Sequence, residues 1–365
     1  MRKPIRVLVV DDSALMRKLI PQMIEREGSI QVVGTAMDGE FALEKIPELK
    51  PDVITLDLDM PRMDGMETLR KIMRTSPLPV IVVSAHSKDG ATATFKALNF
   101  GALDFVTKPH DPTSHMDQIA GELISKIKAA AKSQIVQLPE PQAKPRKVRS
   151  AVNKHEKPTK VVAIGVSTGG PQALQYVLSQ LAPDFPGTIL IVQHMPEGFT
   201  DMFARRLDET CAIEVKEARS GDLLLPARAL VCPGNKHMKV KRMPLGDIVV
   251  LNDGDKVNGH RPSADVLLNS VAYEFSDRAI GVLMTGMGED GAEGLGVIKQ
   301  CGGLTVAQAE ESCVVYGMPR AAVERGHVMR VVTLDAMANT LQAQCTDKTK
   351  ANRTIAAPVA IEAGD

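Results

Sequence analysis

Two sets of side chains in this sequence have the types and spacing to do chemistry. The first is acidic. Asp11 and Asp12 follow the apolar run Val7–Val10, and Asp57 follows Val53–Leu56. Carboxylates gathered at the ends of neighbouring strands repel one another unless a hard cation sits among them. Mg²⁺, which takes one or two carboxylates plus water and phosphate oxygens, suits such a place. Ser84, after Val80–Val83, and Lys108, after Asp104–Thr107, fall at equivalent points. A hydroxyl and an ammonium beside carboxylates and Mg²⁺ fit stabilisation of a phosphoryl group carried on a carboxylate. Any one of these residues alone would read as a solvated loop position; their recurrence at successive strand ends argues for a site.

The second set could perform acyl transfer. Gly165-Val166-Ser167-Thr168-Gly169 matches the G-x-S-x-G elbow that projects a serine hydroxyl over a helix N-terminus, and Pro171 suits the first turn of that helix. A glycine-rich phosphate loop and a plain strand–helix turn are the competing readings. The spacing is not G-x-G-x-x-G, and no acidic residue follows a second strand at the expected distance. A serine hydroxyl needs a base, and His194, after the strand Thr188–Val192, stands at another strand end. His86, His110, His115 and His155 fall in the first half or the connecting segment. His237, His260 and His327 lie in loop-like settings and read as structural or surface residues. A carboxylate should fix the tautomer of the base. Asp290, in the glycine-rich turn after Ala279–Met284, is the candidate, with Glu289 as its rival. Asp290 could equally serve as a helix N-cap.

These groups need a scaffold that brings strand ends together. Over residues 5–132, β-branched runs at Ile5–Val10, Gln31–Ala36, Val53–Leu56, Val80–Val83 and Leu103–Val106 alternate with helical periodicity near 14–26, 39–48, 65–74, 88–99 and 115–132. That rhythm predicts an α/β fold with a doubly wound parallel sheet, whose ligand crevice lies at the carboxyl ends of its strands. From about 133 to 159 prolines and basic residues replace the apolar pattern, as in an extended linker. The alternation resumes at Val161. A Gly/Pro-rich stretch over about 213–260 predicts hairpins inserted into a mainly parallel second sheet. The expected division is 1–125, a linker at 133–159, 160–346, and a disordered tail at 347–365.

Composition narrows the class. A length of 365 residues suits two domains or three small ones. Lys plus Arg and Asp plus Glu both number 44, aromatics are 3%, and Trp is absent. That leaves no basic footprint or stacking platform for nucleic acid. No apolar run reaches the ~18 residues that span a bilayer, and Met1-Arg2-Lys3-Pro4 runs straight into a strand rather than a signal peptide. Five cysteines, at 211, 232, 301, 313 and 345, with no C-x-x-C pair, fit free thiols in a reducing cytoplasm. The expected location is cytoplasmic.

The spacing Asp11-Asp12, Asp57, Ser84 and Lys108-Pro109 resembles the receiver domain of bacterial two-component response regulators, over about 1–125. The resemblance implies a flavodoxin-like (βα)5 unit with Asp57 as phospho-acceptor. It also implies Mg²⁺ on Asp12, Asp57 and the Asp59 carbonyl with Asp11 nearby, Ser84 and Phe105 as switch residues, and Lys108 as phosphate partner. The order Ser, His, Asp departs from α/β-hydrolases. Together with Gln193-His194-Met195-Pro196, Arg261-Pro262-Ser263-Ala264-Asp265, Thr285 to Gly291 and Tyr316-Gly317-Met318-Pro319, the chain resembles the chemotaxis protein-glutamate methylesterase family, CheB, over about 1–345. That resemblance implies hydrolysis of glutamyl methyl esters on chemoreceptor cytoplasmic domains, and related deamidation of receptor Gln. It implies a triad of Ser167, His194 and Asp290, an oxyanion hole near the Met287 N–H with Thr168 assisting, and no cofactor for the esterase. A chemotaxis histidine kinase would be the phosphodonor, with no nucleic-acid partner and no direct membrane insertion. Two rivals are a receiver fused to a DNA-binding output, disfavoured by the zero net charge and strand-rich second half, and a receiver fused to a non-hydrolytic nucleotide-binding module.

Overall fold

Short β-branched runs, most of them followed by a helix, build two parallel sheets in series. The computed structural model describes residues 3–84, 87–108, 116–133 and 157–346. Residues 134–156 of the expected 133–159 linker, the expected tail at 347–365, and His86, Pro109, His110, His115 and His155 lie outside the described residues.

The first sheet carries β1 (Ile5–Val10), β2 (Ile30–Ala36), β3 (Val53–Leu56), β4 (Val80–Ser84) and β5 (Asp104–Thr107), interleaved with α1 (Ala14–Ile24), α2 (Gly39–Leu49), α3 (Gly65–Thr75), α4 (Lys88–Asn99) and α5 (Met116–Ala130). Its order is β2-β1-β3-β4-β5, with every pair parallel. Side chains that outcompete the helical backbone set where the helices begin. The carboxylates of Asp38 and Asp64 accept the N–H groups of Phe41 and Glu67 at 3.0 and 2.7 Å, capping α2 and α3. The register pairs Val10 with Leu56 and Ser84 with Thr107. Asp11 therefore emerges beside Asp57, and Lys108 beside Ser84.

The second sheet is larger. In chain order its region contains β6 (Val161–Val166), α6 (Gly170–Leu178), β7 (Thr188–Gln193), α7 (Phe199–Thr210), β8 (Glu214–Glu217), β9 (Arg228–Val231), β10 (His237–Lys241), β11 (Ile248–Asn252) and α8 (Ala264–Phe275). It ends with β12 (Ala279–Leu283), α9 (Ala292–Gln300), β13 (Leu304–Gln308), α10 (Met318–Glu324), β14 (Arg330–Val332) and α11 (Leu334–Cys345). The sheet order is β14-β13-β12-β6-β7-β9-β8, again all parallel. Strands β6, β7 and β12 are buried at every residue, as parallel strands covered on both faces must be. One of the expected hairpins forms, β10 with β11, but β8 and β9 join the main sheet in parallel. Their connection needs no helix because it runs along β11. Gly221 N–H donates to Val249 O and Leu224 N–H to Asp247 O, both at 2.9 Å.

The two sheets share an apolar seam. Phe95 of α4 stacks on Phe203 of α7 at 5.7 Å, and Phe105 of β5 stacks on Phe199 at 4.9 Å. Gln172 Nε2 donates to the carbonyls of Leu98 and Ala102 at 3.0 and 2.9 Å. Among the described residues no helix is long and apolar enough to cross a membrane.

Candidate active site

In the first sheet, Asp11, Asp12 and Asp57 each bring a carboxylate oxygen within 4.8 Å of the others. Lys108 Nζ lies 2.6 Å from Asp57 Oδ2, and it forms an ion pair, without hydrogen-bond alignment, 2.9 Å from Asp11 Oδ2. Burial drives the Asp57 carboxyl above its ordinary value, opposed by the Lys108 ammonium. Burial also disfavours the charge on Lys108, but Asp57 and Asp11 outweigh it and raise the ammonium's pKa. Hard oxygens converging this closely are the donor set Mg²⁺ takes. The backbone turns back at Asp59, whose N–H donates to Asp57 Oδ1 at 3.4 Å. Ser84 Oγ donates instead to Gly90 O at 3.1 Å, and Phe105 is buried in the seam against Phe199.

In the second sheet, β6 lies between β7 and β12, with Val166 opposite Gln193 and Gly165 opposite Leu283. Ser167, His194 and the 284–290 turn consequently leave the same edge. Ser167 N–H donates to Thr285 O at 3.0 Å, and His194 N–H to Val166 O at 3.1 Å. Gln193 Nε2 braces both turns, donating to Ser167 O at 3.0 Å and His194 O at 3.2 Å. The elbow needs Gly169, at φ +76°, and Gly286, where a Cβ would lie 2.8 Å from Ser167 Cβ.

His194 Nε2 lies 2.8 Å from Asp290 Oδ2. An ionised Asp290 can only accept, so Nε2 carries the hydrogen and Nδ1 the lone pair. Nδ1 is buried and has no hydrogen-bond partner among the described residues. Asp290 is 1% exposed and also accepts from Ser263 Oγ at 2.6 Å, Ala264 N–H at 2.6 Å and Asn258 Nδ2 at 3.2 Å. Burial opposes its charge, but the His194, Ser263 and Ala264 donors hold the carboxyl well below the usual range. Asp290 does not cap the helix that follows it, because Gly291 takes that position; it caps α8 instead. Its rival Glu289 turns outward to Arg325 at 2.5 Å.

Met287 follows Gly286 and is half-buried. Thr168 directs its hydroxyl across the domain boundary to Asp104 Oδ2 at 2.6 Å. Among the other histidines, His237 donates from Nε2 to the Asp255 carbonyl at 2.9 Å, and its Nδ1 accepts Ser263 N–H at 3.3 Å. His327 Nδ1 lies 2.9 Å from Ala292 O. Both are structural. His260, expected as a structural or surface residue, is half-buried and its ring stacks on His194. Sequence reasoning also gave no role to Asn258 or Gln193. The left-handed backbone of Asn258, φ 52°, is invisible in a single sequence.

Fold and site together define a response regulator with an enzymatic α/β output. A family model described as CheB methylesterase matches residues 162–341, and one described as response regulator receiver domain matches 7–120. A Koribacter versatilis protein named protein-glutamate methylesterase/protein-glutamine glutaminase 2 is 60% identical over 349 residues, 93% of this chain and 96% of that one. A like-named Halalkalibacterium halodurans protein is 44% identical over 352 residues, 94% of this chain and 99% of its own. The solved CheB methylesterase catalytic domain of Thermotoga maritima is 38% identical with a TM-score of 0.50, covering 51% of this chain and 98% of that domain. The chain belongs to the CheB family of protein-glutamate methylesterases.

Proposed function

We propose that this protein hydrolyses glutamyl methyl esters on chemoreceptor cytoplasmic domains to Glu and methanol, and deamidates receptor Gln to Glu, under control of phosphorylation at Asp57. The observation that carries the reading is the 2.8 Å His194 Nε2–Asp290 Oδ2 contact, which leaves on the base beside the Ser167 elbow a buried Nδ1 with no hydrogen-bond partner among the described residues. Ser167 Oγ attacks the side-chain carbonyl while His194 Nδ1 takes its proton. The Nε2–H on Asp290 steadies the imidazolium that forms. His194 then returns the proton to the leaving methoxide or amine, and water, deprotonated by the same nitrogen, releases the acyl group. The Met287 N–H serves the developing oxyanion, with Thr168 assisting once its hydroxyl leaves Asp104. No cofactor takes part in this acyl transfer.

The receiver unit, 1–125, is the input, and 160–346 the catalytic unit. Asp11, Asp12, Asp57 and the Asp59 carbonyl would hold Mg²⁺, which when bound neutralises charge during phosphoryl transfer. Lys108 is placed to pair with the phosphoryl oxygens and Ser84 to reorient toward them. The phosphodonor is a chemotaxis histidine kinase, and the working compartment is the cytoplasm. Incubation with methyl-labelled receptor membranes, with and without phosphodonor, tests the reading: labelled methanol should appear and rise with phosphodonor. Absence of methanol under both conditions would overturn it.

A further inference from the structure

Gln193 takes no part in the proton transfers described above, yet its amide stands between the nucleophile and the base. It ends β7 opposite Val166, the last residue of β6, and is 3% exposed. Its Nε2 directs both hydrogens at the catalytic turns, one at the Ser167 carbonyl at 3.0 Å and one at the His194 carbonyl at 3.2 Å. Those two acceptors fix which way round the amide sits. Oε1 is left buried with no hydrogen-bond partner among the described residues. It faces the first residue of α6, where only glycine fits, because a Cβ on Gly170 would collide with it. An orphaned buried acceptor is destabilising, so an apolar side chain of the same length would be the more stable filler. An amide held against that penalty points to a task.

The geometry shows what the task is. The Ser167 carbonyl also accepts the Gly170 N–H at 2.8 Å, so two donors hold that peptide plane. In a trans peptide the N–H points opposite to the C=O, and the Thr168 N–H is therefore turned away from Gln193. It has no hydrogen-bond partner among the described residues, and neither has the Met287 N–H. Two free backbone donors, one next to Ser167 and one from the 284–290 turn, are what a developing oxyanion requires.

We propose that Gln193 is a positioning residue for the acyl transfer. Its one amide sets both the Ser167–Thr168 peptide, which aims an oxyanion donor, and the His194 turn, which carries the base, and so holds the two in register. The inference rests on the esterase reading. A misplacement of roughly 1 Å can lose about a hundredfold in rate, and drift of either turn alone would produce one.

The test compares Gln193→Met and Gln193→Glu with the parent, in the full chain with phosphodonor and methylated receptor membranes, with Ser167→Ala as control. Methionine is close to glutamine in length and bulk, donates nothing and leaves no orphan. Gln193→Met should lower kcat about 10- to 100-fold with KM within about twofold and thermal unfolding unchanged or raised. Gln193→Glu sets a carboxyl against two carbonyl oxygens, where only the protonated form can donate, and only once. Its kcat deficit relative to the parent should therefore narrow by at least about threefold between about pH 9 and about pH 6. A side chain serving only as packing would not produce that change. A Met variant within about threefold of the parent, or a Glu deficit that is absent or the same at both pH values, would overturn the inference. Should Gln193→Met unfold early, Gln193→Glu decides alone. A parent chain no more active than Ser167→Ala would instead sink the esterase reading itself, so the two failures are distinguishable.

Discussion

Asp290 and Asp265 cap each other's helices. Asp290, just ahead of α9, accepts the Ala264 N–H at 2.6 Å and the Asp265 N–H at 3.3 Å, at the start of α8. Asp265, in the first turn of α8, accepts the Gly294 N–H of α9 at 2.6 Å. The exchange fixes α9 against α8 and with it the carboxylate that faces His194. The two acids fare differently: donors hold Asp290 low, while burial pushes Asp265 up.

Asp265→Ala should therefore damage both stability and catalysis. Loss of a cap costs typically ~1 kcal/mol, and freeing α9 lets Asp290 drift from His194. Denaturant unfolding should show the first effect and a fall in kcat at unchanged KM the second. A variant of normal kcat would show that the cross-cap has no bearing on the triad.

Ser167→Ala should remove the acyl-enzyme route with the fold nearly intact. Losses of this kind reach roughly a million-fold in turnover, and a wrongly polarised orienter costs about 10⁴-fold. His194→Ala should match the serine variant, and Asp290→Asn should fall between it and the parent. Methanol release by Ser167→Ala within tenfold of the parent would exclude Ser167 as nucleophile.

Asp57→Asn should abolish activation by acetyl phosphate and Mg²⁺ while sparing basal esterase activity, since Asp57 belongs to the first sheet and Ser167 to the second. Equal activation of variant and parent would rule out Asp57 as the switch.

His260 also predicts a pH dependence of stability. Its folded pKa, about 4, lies below the 6.5 of the free side chain, so the unfolded chain takes up the proton first. Its share of stability is whole above pH about 6.5, falls as pH drops toward about 4, and is constant below; it is at most about 3 kcal/mol. The low carboxyl of Asp290 works in a window further down, losing its contribution progressively as pH falls below the ordinary carboxylate value of 3.8. Unfolding free energies between pH 4 and 7 should therefore slope less steeply in His260→Phe than in the parent. Parallel slopes would contradict the depressed value.

Much of this was legible in the sequence because strand ends are local. Val7–Val10 and Val53–Leu56 announce buried strands, and a parallel sheet delivers the residues after each strand to one edge. Ser167, His194 and Asp290 were readable for the same reason. His260, Asn258 and Asp265 were not, since their work lies in contacts between distant segments that leave no periodic trace. The parallel seat of β8 was hidden too. Its four residues, Glu214–Glu217, bury one side chain, and turn-rich flanks look alike before a hairpin and before a crossover. Thr168 carried a motif signal, but nothing in the motif shows that its hydroxyl reaches Asp104.

Asp104 should restrain the esterase until the receiver is phosphorylated. Its Oδ2 holds the hydroxyl of Thr168, next to Ser167, at 2.6 Å, while its Oδ1 pairs with Lys126 at 3.1 Å. In this docked arrangement His194 Nδ1 has no hydrogen-bond partner among the described residues, Ser167 included. On this reading the Asp104 contact would hold the elbow while the nucleophile–base bond is unmade. Phosphorylation adds roughly −1.5 to −2 charges at Asp57, and Lys108, which pairs with Asp57, directly follows β5, the strand that carries Asp104 and Phe105. A hundredfold activation needs a coupling of about 2.7 kcal/mol, within the usual allosteric range. A hydrogen bond to a charged group contributes about 1.5–3 kcal/mol, enough to supply most of it. Asp104→Asn, which weakens the bond and keeps the shape, should raise basal turnover several-fold and compress the response to phosphodonor. The gain should appear with a small ester as well as with receptor membranes, because an unmade triad slows both, whereas simple covering obstructs only the large substrate. A gain confined to receptor membranes would reduce the receiver to a steric cover, and unchanged basal activity on both substrates would remove Asp104 from the restraint.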